Sequence, residues 1–209
     1  MLLEVVDRAL GKSGAPEPLD VGLSAAELSD WLEQSLCFPD LPVPIGELAH
    51  WAFALIELGK EPAVLAAVAA VETALLLANS NYEEKQFVEK ILAELHIWID
   101  SSKDKHDLKR LGDLWWSLTR NPPATADTPL GTAATMAWYV AGYDPEGWGD
   151  PPDQPDKLES WIAEAANNVT AIVDVFSSAQ RAVGGDDLLL INSVRIAVKT
   201  WRNADSAES

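Results

Sequence analysis

Apolar residues recur every three or four positions through most of this chain, and proline or glycine interrupts each run. The clearest run extends from Tyr82 to Asp100, where charged residues such as Glu83, Lys85 and Glu89 occupy the side opposite the apolar positions. A 3.6-residue period of this kind predicts an amphipathic helix. The apolar positions of this run are Phe87, Val88, Ile91, Leu92, Leu95, Trp98 and Ile99.

Helical periodicity appears in eight ranges, and residues 2–11 could form a shorter helix that ends at Gly11. No strand–turn–strand pattern accompanies them. The expected fold class is therefore all-α, either an irregular multi-helix bundle or a short α-solenoid-like array of about eight helices. The eight ranges are 24–36, 47–58, 62–78, 82–100, 108–118, 129–141, 156–183 and 187–202.

Local signals predict where several of these helices begin and end. A serine or aspartate followed three residues later by glutamate forms a capping box, and a threonine before proline is typical of a helix start. A glycine after the last apolar position predicts a helix end. The residues carrying these signals are Ser24 with Glu27, Asp156 with Glu159, Thr128 with Pro129, and the glycines Gly59 and Gly184.

The range 62–78 differs from the others because it is apolar nearly all round. A helix without a polar face is expected at the centre of a fold. Its longest apolar run, Ala63 to Val71, is shorter than the roughly 20 residues that cross a bilayer. We therefore expect a buried helix and no membrane association.

The chain of 209 residues is expected to form a single helical domain. In this organisation residues 1–23 are an N-terminal helix and linker, 24–202 are the core bundle, and 203–209 are a disordered polar tail. The N-terminus lacks the basic start and apolar stretch of a secretory signal, and the single cysteine, Cys37, suits a reducing compartment. These features predict a cytoplasmic protein.

The charge is strongly and unevenly negative. The formal net charge is −18, and residues 1–57 contain ten acidic side chains but only two basic ones, Arg8 and Lys12. Such a field repels nucleic acid and attracts basic proteins. The competing interpretation is that the acidic surface serves solubility alone.

Residues with catalytic or metal-binding chemistry do not form a known motif. His50, His96 and His106 lack metal-ligand spacing or a cysteine partner, so structural or surface roles are expected, with no metal and no cofactor. Buried carboxylates can act as acids, which makes Glu72 in the apolar helix the best enzymatic candidate, ahead of Glu94. The alternative is that Glu72 reaches the surface or a residue of a neighbouring helix.

Residues 142–156 form the one long irregular segment, with four prolines and three glycines. Its carboxylates suggest calcium, but the spacing fails the EF-hand template, and a solvated loop explains them better. Long irregular loops within a compact domain are often functional. The acidic side chains of this loop are Asp144, Glu146, Asp150, Asp153 and Asp156.

Nine tryptophans are an unusual number for this chain. Those on apolar stripes, such as Trp98 and Trp161, are expected in the core, whereas Trp138 could be partly exposed. Trp148 stands between glycines in the acidic loop. It is either a binding hot spot or a residue that folds back and pins its own loop. The predicted partner-binding residues are Trp148, Asp144, Glu146, Asp150 and Asp153.

The middle of the chain, from about 47 to 200, resembles bacterial all-helical families of predicted immunity proteins and secretion-associated proteins. The likeness lies in the order of Trp51-Ala52, an alanine-rich helix, the stretch Leu95–Ile99, the stretch Leu108–Leu118 and a small-residue helix at Thr132–Ala137. It implies a cytoplasmic protein that neutralises a toxin or escorts a secreted partner. It implies no particular functional residues.

These observations predict a non-enzymatic protein that binds a basic protein partner, such as a toxin or effector. A first alternative is a structural subunit that self-associates through exposed apolar helix faces. A second is an enzyme with an unrecognised carboxylate site.

Overall fold

The computed structural model describes residues 52, 55, 56, 58–100, 124–142, 147, 148, 154–184 and 187–208. These residues form five α-helices and a short 3-10 turn, with no β-strand among them. The elements are α1 (Lys60–Leu77), α2 (Tyr82–Asp100), the 3-10 turn (Ala124–Asp127), α3 (Pro129–Gly142), α4 (Pro155–Val183) and α5 (Asp187–Glu208).

The all-α expectation is confirmed for this part of the chain, but the expected count of about eight helices is too high for it. Five of the eight predicted ranges form these helices, whereas the ranges 24–36 and 108–118 and the shorter helix predicted at 2–11 lie outside the described residues. Of the predicted helix at 47–58, Ala52, Leu55, Ile56 and Leu58 are described and helical.

Helix α1 occupies the centre of the described fold, as its uniform apolarity predicts. It contacts α2, α3, α4 and α5, whereas a unit of a solenoid would contact only its sequence neighbours. The arrangement is therefore that of a bundle. Alanine and valine make up most of its buried surface, and such small side chains let neighbouring helices approach closely. Its buried residues are Pro62, Ala63, Val64, Ala66, Ala67, Val68, Ala70, Val71 and Ala74.

Helix α3 forms the second small-residue surface of the bundle. Ala133, Ala134, Ala137 and Ala141 are fully buried, and α3 packs on α4, α1 and α2. The larger residues of α4 fill the facing space, including Phe176 and Ile172. Helix α5 packs mainly along α1 and thus lies at the outside of the bundle.

The start of α3 agrees with the sequence signal. Thr128 Oγ1 accepts a hydrogen bond from the Gly131 amide at 3.0 Å and donates one to the Thr125 carbonyl at 2.8 Å. Pro129 follows as the first helical residue, where its missing N–H costs nothing. These two hydrogen bonds also join α3 to the 3-10 turn.

The predicted glycine ends are confirmed, while one predicted capping box is not. Gly184 ends α4 in the left-handed conformation, and the Gly59 amide donates to the Leu55 carbonyl at 3.0 Å. Helix α4, however, begins at Pro155 after Gln154, without a side-chain cap. A proline at the first helical position is already set for helix geometry, so the helix starts one residue before Asp156.

The expected disordered tail is also corrected. Helix α5 extends to Glu208, so residues 203–208 are helical. They hold no glycine or proline, and alanine and glutamate favour helices. Extending a helix that is already formed requires the ordering of only one residue for each new hydrogen bond, so its entropic cost is lower than that of starting a helix.

The described tryptophans are mostly buried. Trp98 and Trp161 are in the core as expected, but Trp138 is only 4% exposed, which corrects the expectation of partial exposure. It lies on the same side of α3 as Ala134 and Ala141, so the stripe of α3 is wider than its small residues suggest. Among the described helices, none combines the length and apolarity needed to cross a membrane.

The contact between Gly131 and the 3-10 turn gives a test of this packing. A Cβ at Gly131 would overlap the carbonyl oxygen of Thr125, so Gly131→Ala must push the turn away from α3. We expect a loss of ~1–3 kcal/mol in unfolding free energy, the usual cost of overpacking. Thermal unfolding followed by circular dichroism measures it. Gly142→Ala is the matched control, because its Cβ would meet the Trp138 ring at an ordinary 3.4 Å. Equal melting temperatures for the two variants would contradict the described contact.

Candidate functional site

The acidic loop rests on α4 at Gly147, and the following residue, Trp148, packs against the hydrophobic core. Gly147 is buried and has φ +83°, a conformation that L side chains rarely adopt. A Cβ there would lie 2.5 Å from the Ala165 amide nitrogen and 2.8 Å from Glu164 Cβ. Only glycine therefore allows the loop backbone to rest directly on the helix. We call this contact, formed by Gly147, Trp148, Glu164 and Ala165, the loop anchor.

Trp148 is half-buried and packs against the hydrophobic core. This agrees with the interpretation in which Trp148 folds back and pins its own loop. The other interpretation, a hot spot for a partner, remains a prediction. Part of the residue stays accessible, so the two roles are compatible.

Apolar contact rather than hydrogen bonding holds the anchor. Trp148 Nε1, Glu164 Oε2 and, one turn earlier on α4, Trp161 Nε1 are withdrawn from solvent without a hydrogen-bond partner in the described part of the chain. A buried polar atom left in this state costs ~1–3 kcal/mol. Burial of the indole ring must exceed this cost for the loop to stay on α4.

The other predicted residues of this site lie outside the described residues. These are Asp144, Glu146, Asp150 and Asp153. In the sequence, Glu146 directly precedes the anchor and Asp150 follows it by two residues. Cation binding by this loop stays untested.

Glu72, the best enzymatic candidate in the sequence, reaches the protein surface. Its Oε1 lies 2.8 Å from His96 Nε2 of α2, and the two side chains are 46% and 49% exposed. This is the alternative anticipated for Glu72, a contact with a neighbouring helix. A half-exposed pair of this kind contributes little to stability.

No third reactive group joins this pair within the described residues. The adjacent hydroxyl, Thr73 Oγ1, lies 2.8 Å from the Ala69 carbonyl oxygen and 2.7 Å from Ser193 Oγ of α5. Since a hydroxyl has one hydrogen, Thr73 donates to the carbonyl and accepts from Ser193. The described residues also contain no group of three side chains that could hold a metal ion. Among the described residues, the pair has no nucleophile beside it.

Exposed apolar side chains are the feature that sequence reasoning did not locate. Leu76 of α1 is 84% exposed, and Ile196 and Leu189 of α5 are 58% and 49% exposed. The sequence of α5 contained a sign of this exposure, because Leu189 and Ile196 are apolar but lie outside the buried stripe of the helix. That stripe consists of Leu190, Ile191, Val194 and Val198.

Comparison of the chain with known protein families, with curated proteins and with solved structures finds no match. The fold and the geometry of the described residues are therefore the basis for any statement about function.

The loop anchor gives a direct test. Gly147→Ala should displace Trp148 from the core, because the added Cβ would collide with the Ala165 backbone. With 5-fluorotryptophan incorporated, the Trp148 resonance, assigned from Trp148→Phe, should acquire the solvent isotope shift of an exposed indole. Gly184→Ala is the control, since it imposes a similar backbone strain at φ +71° with nothing within 4 Å. An unchanged Trp148 resonance in Gly147→Ala would contradict the anchor.

One described carboxyl group has a shifted pKa. Burial raises the pKa of Asp174 on α4 above its ordinary 3.8, and the Arg181 guanidinium offsets this only in part. The folded state therefore binds the Asp174 proton more tightly than the unfolded state, and this stabilisation is lost as the pH rises through the raised pKa.

Asp174→Asn removes this pH dependence. We expect the variant to melt at a higher temperature than wild type at pH 7, and the difference to vanish below the unfolded pKa, near pH 3. Glu89→Gln, an exposed position on α2, should show no such pH-dependent difference. A lower melting temperature for Asp174→Asn at pH 7 would contradict the assignment.

Proposed function

We propose that this chain is a non-enzymatic binding protein whose acidic N-terminal third and acidic loop attract a basic protein partner. An immunity or accessory protein that binds a basic toxin or effector is the specific form that we favour. The observation that carries the proposal is the uneven distribution of charge. Residues 1–57 hold ten acids against two bases, and residues 144–156 hold five acids and no base.

Helix α2 differs from these two acidic segments, which supports the uneven distribution of charge. It carries both positive and negative side chains, with Lys85 and Lys90 among its glutamates. The loop anchor joins the acidic loop to this body, so a partner that contacts the loop is also held beside α4. A surface that concentrates one sign of charge raises the association rate of an oppositely charged partner and makes it salt-dependent.

The enzymatic alternative has less support. The exposed Glu72–His96 pair is the described arrangement best suited to proton transfer, and it stands without a neighbouring nucleophile. Self-association is favoured by the exposed apolar side chains but opposed by the net charge of −18, which makes two copies repel each other.

The proposal is tested by capturing the partner from the native host, eluting it stepwise with salt, and measuring binding rates with charge variants. The loop variant combines Asp144→Asn, Glu146→Gln, Asp150→Asn and Asp153→Asn. We expect an association rate constant at least ~10-fold lower than wild type, because electrostatic steering contributes 10-fold or more.

The matched control removes the same number of charges from the helical body. It combines Glu83→Gln, Glu89→Gln, Asp100→Asn and Asp127→Asn, all at exposed positions. We expect a much smaller change in the association rate. Equal rates for the two variants, rates that do not respond to salt, or recovery of nothing but the chain itself would refute the proposal.

A further inference from the structure

The loop anchor buries two polar atoms without replacing the hydrogen bonds that they would make to water. Trp148 Nε1 and Glu164 Oε2 are withdrawn from solvent, and neither has a hydrogen-bond partner in the described part of the chain. In contact with water, both atoms would be hydrogen-bonded. Most buried polar groups in folded proteins keep a partner, so closing this contact carries a cost that is unusual for a protein interior.

Gly147 places this cost at the point where the loop meets α4. A Cβ on Gly147 would lie 2.8 Å from Glu164 Cβ and 2.5 Å from the Ala165 amide nitrogen, so the loop backbone lies directly against the Glu164 side chain. Trp148 is the next residue of the loop. The unpaired carboxylate oxygen and the unpaired indole nitrogen therefore belong to one contact, and lifting the loop from α4 returns both to water.

The apolar part of Trp148 is what opposes this opening. The residue packs against the hydrophobic core but is only half-buried, so it gains less from burial than a fully enclosed indole would. The gain from apolar burial and the loss of two hydrogen-bonded atoms have opposite signs and similar size. A segment held in this way can open locally while the rest of the protein stays folded.

We propose that Trp148 is a releasable latch. Its side chain leaves the core and returns without unfolding of the helices, and the unpaired Glu164 carboxylate favours the open state. In the open state the whole indole is available to a partner, which joins the two roles expected for Trp148, the pin and the hot spot. This availability to a partner rests on the proposed function, whereas the opening itself does not.

Hydrogen exchange of the indole N–H groups measures the opening in the chain alone. With ¹⁵N-labelled tryptophan, Trp148→Phe and Trp138→Phe assign two of the resonances. Trp138 is 4% exposed on α3 and reports unfolding of the bundle. We expect Trp148 to exchange at least ~10-fold faster than Trp138, and low concentrations of urea to accelerate only Trp138, because a local opening exposes little new surface. Equal rates, or an equal response to urea, would overturn the inference.

Glu164→Met distinguishes an unpaired carboxylate from one that holds the loop. Methionine keeps the length of the side chain without the carboxylate, so the closed contact no longer contains the unpaired oxygen. We expect Trp148 to exchange at least ~5-fold more slowly than in wild type, because a buried polar atom without a partner disfavours the closed state by that factor or more. A glutamate that stabilised the closed loop would give the opposite result, faster exchange.

Glu89→Met is the matched control, since it removes an exposed glutamate from α2. It should leave the exchange of Trp148 unchanged. Unchanged or faster exchange in Glu164→Met, or equal slowing in Glu89→Met, would overturn the latch. These measurements need no partner, so the latch can fail while association of the native partner still responds to salt and to the loop charges, and the proposed function can fail while the latch holds.

Discussion

The burial of α1 is the interaction on which the rest of the described structure depends. Four helices pack on this one element, and its surface is almost entirely alanine, valine and leucine. Small side chains allow close approach from several directions, which a helix of larger residues would prevent. Each of the other four described helices contacts α1, and α4 also packs extensively on its predecessor α3. Gly131 allows a similarly close approach at the start of α3, where the Thr125 carbonyl leaves no room for a Cβ.

The packing around α1 also determines which surfaces remain available. Because α5 uses one side to cover α1, its remaining apolar residues Leu189 and Ile196 face away from the core. Two polar contacts join helices near the protein surface, the half-exposed Glu72–His96 pair and the Thr73–Ser193 bond.

The acidic segments of the proposed binding surface act at a distance. Carboxylates in the N-terminal third and the acidic loop act over about a Debye length, ~8 Å in physiological salt. The loop anchor fixes one of these segments to α4, the helix that packs on α1 and α3. Its buried but unpaired indole and carboxylate atoms leave the loop less strongly attached than a fully bonded contact would.

The helical class, the ends of α2 and α3 and the central position of α1 could be predicted from the sequence, because periodicity, capping residues and uniform apolarity are local properties. The extension of α5 to Glu208 and the burial of Trp138 could not be predicted from the sequence. Whether a polar segment stays helical, or a residue at the edge of an apolar stripe is buried, depends on the neighbouring helices. For the candidate site, the sequence singled out Trp148 and the acidic loop by composition alone. Only the tertiary structure decided that Gly147 lies on Ala165, that Glu72 meets His96, and that Thr73 meets Ser193. These are contacts between residues distant in the chain, which depend on how the helices pack around α1.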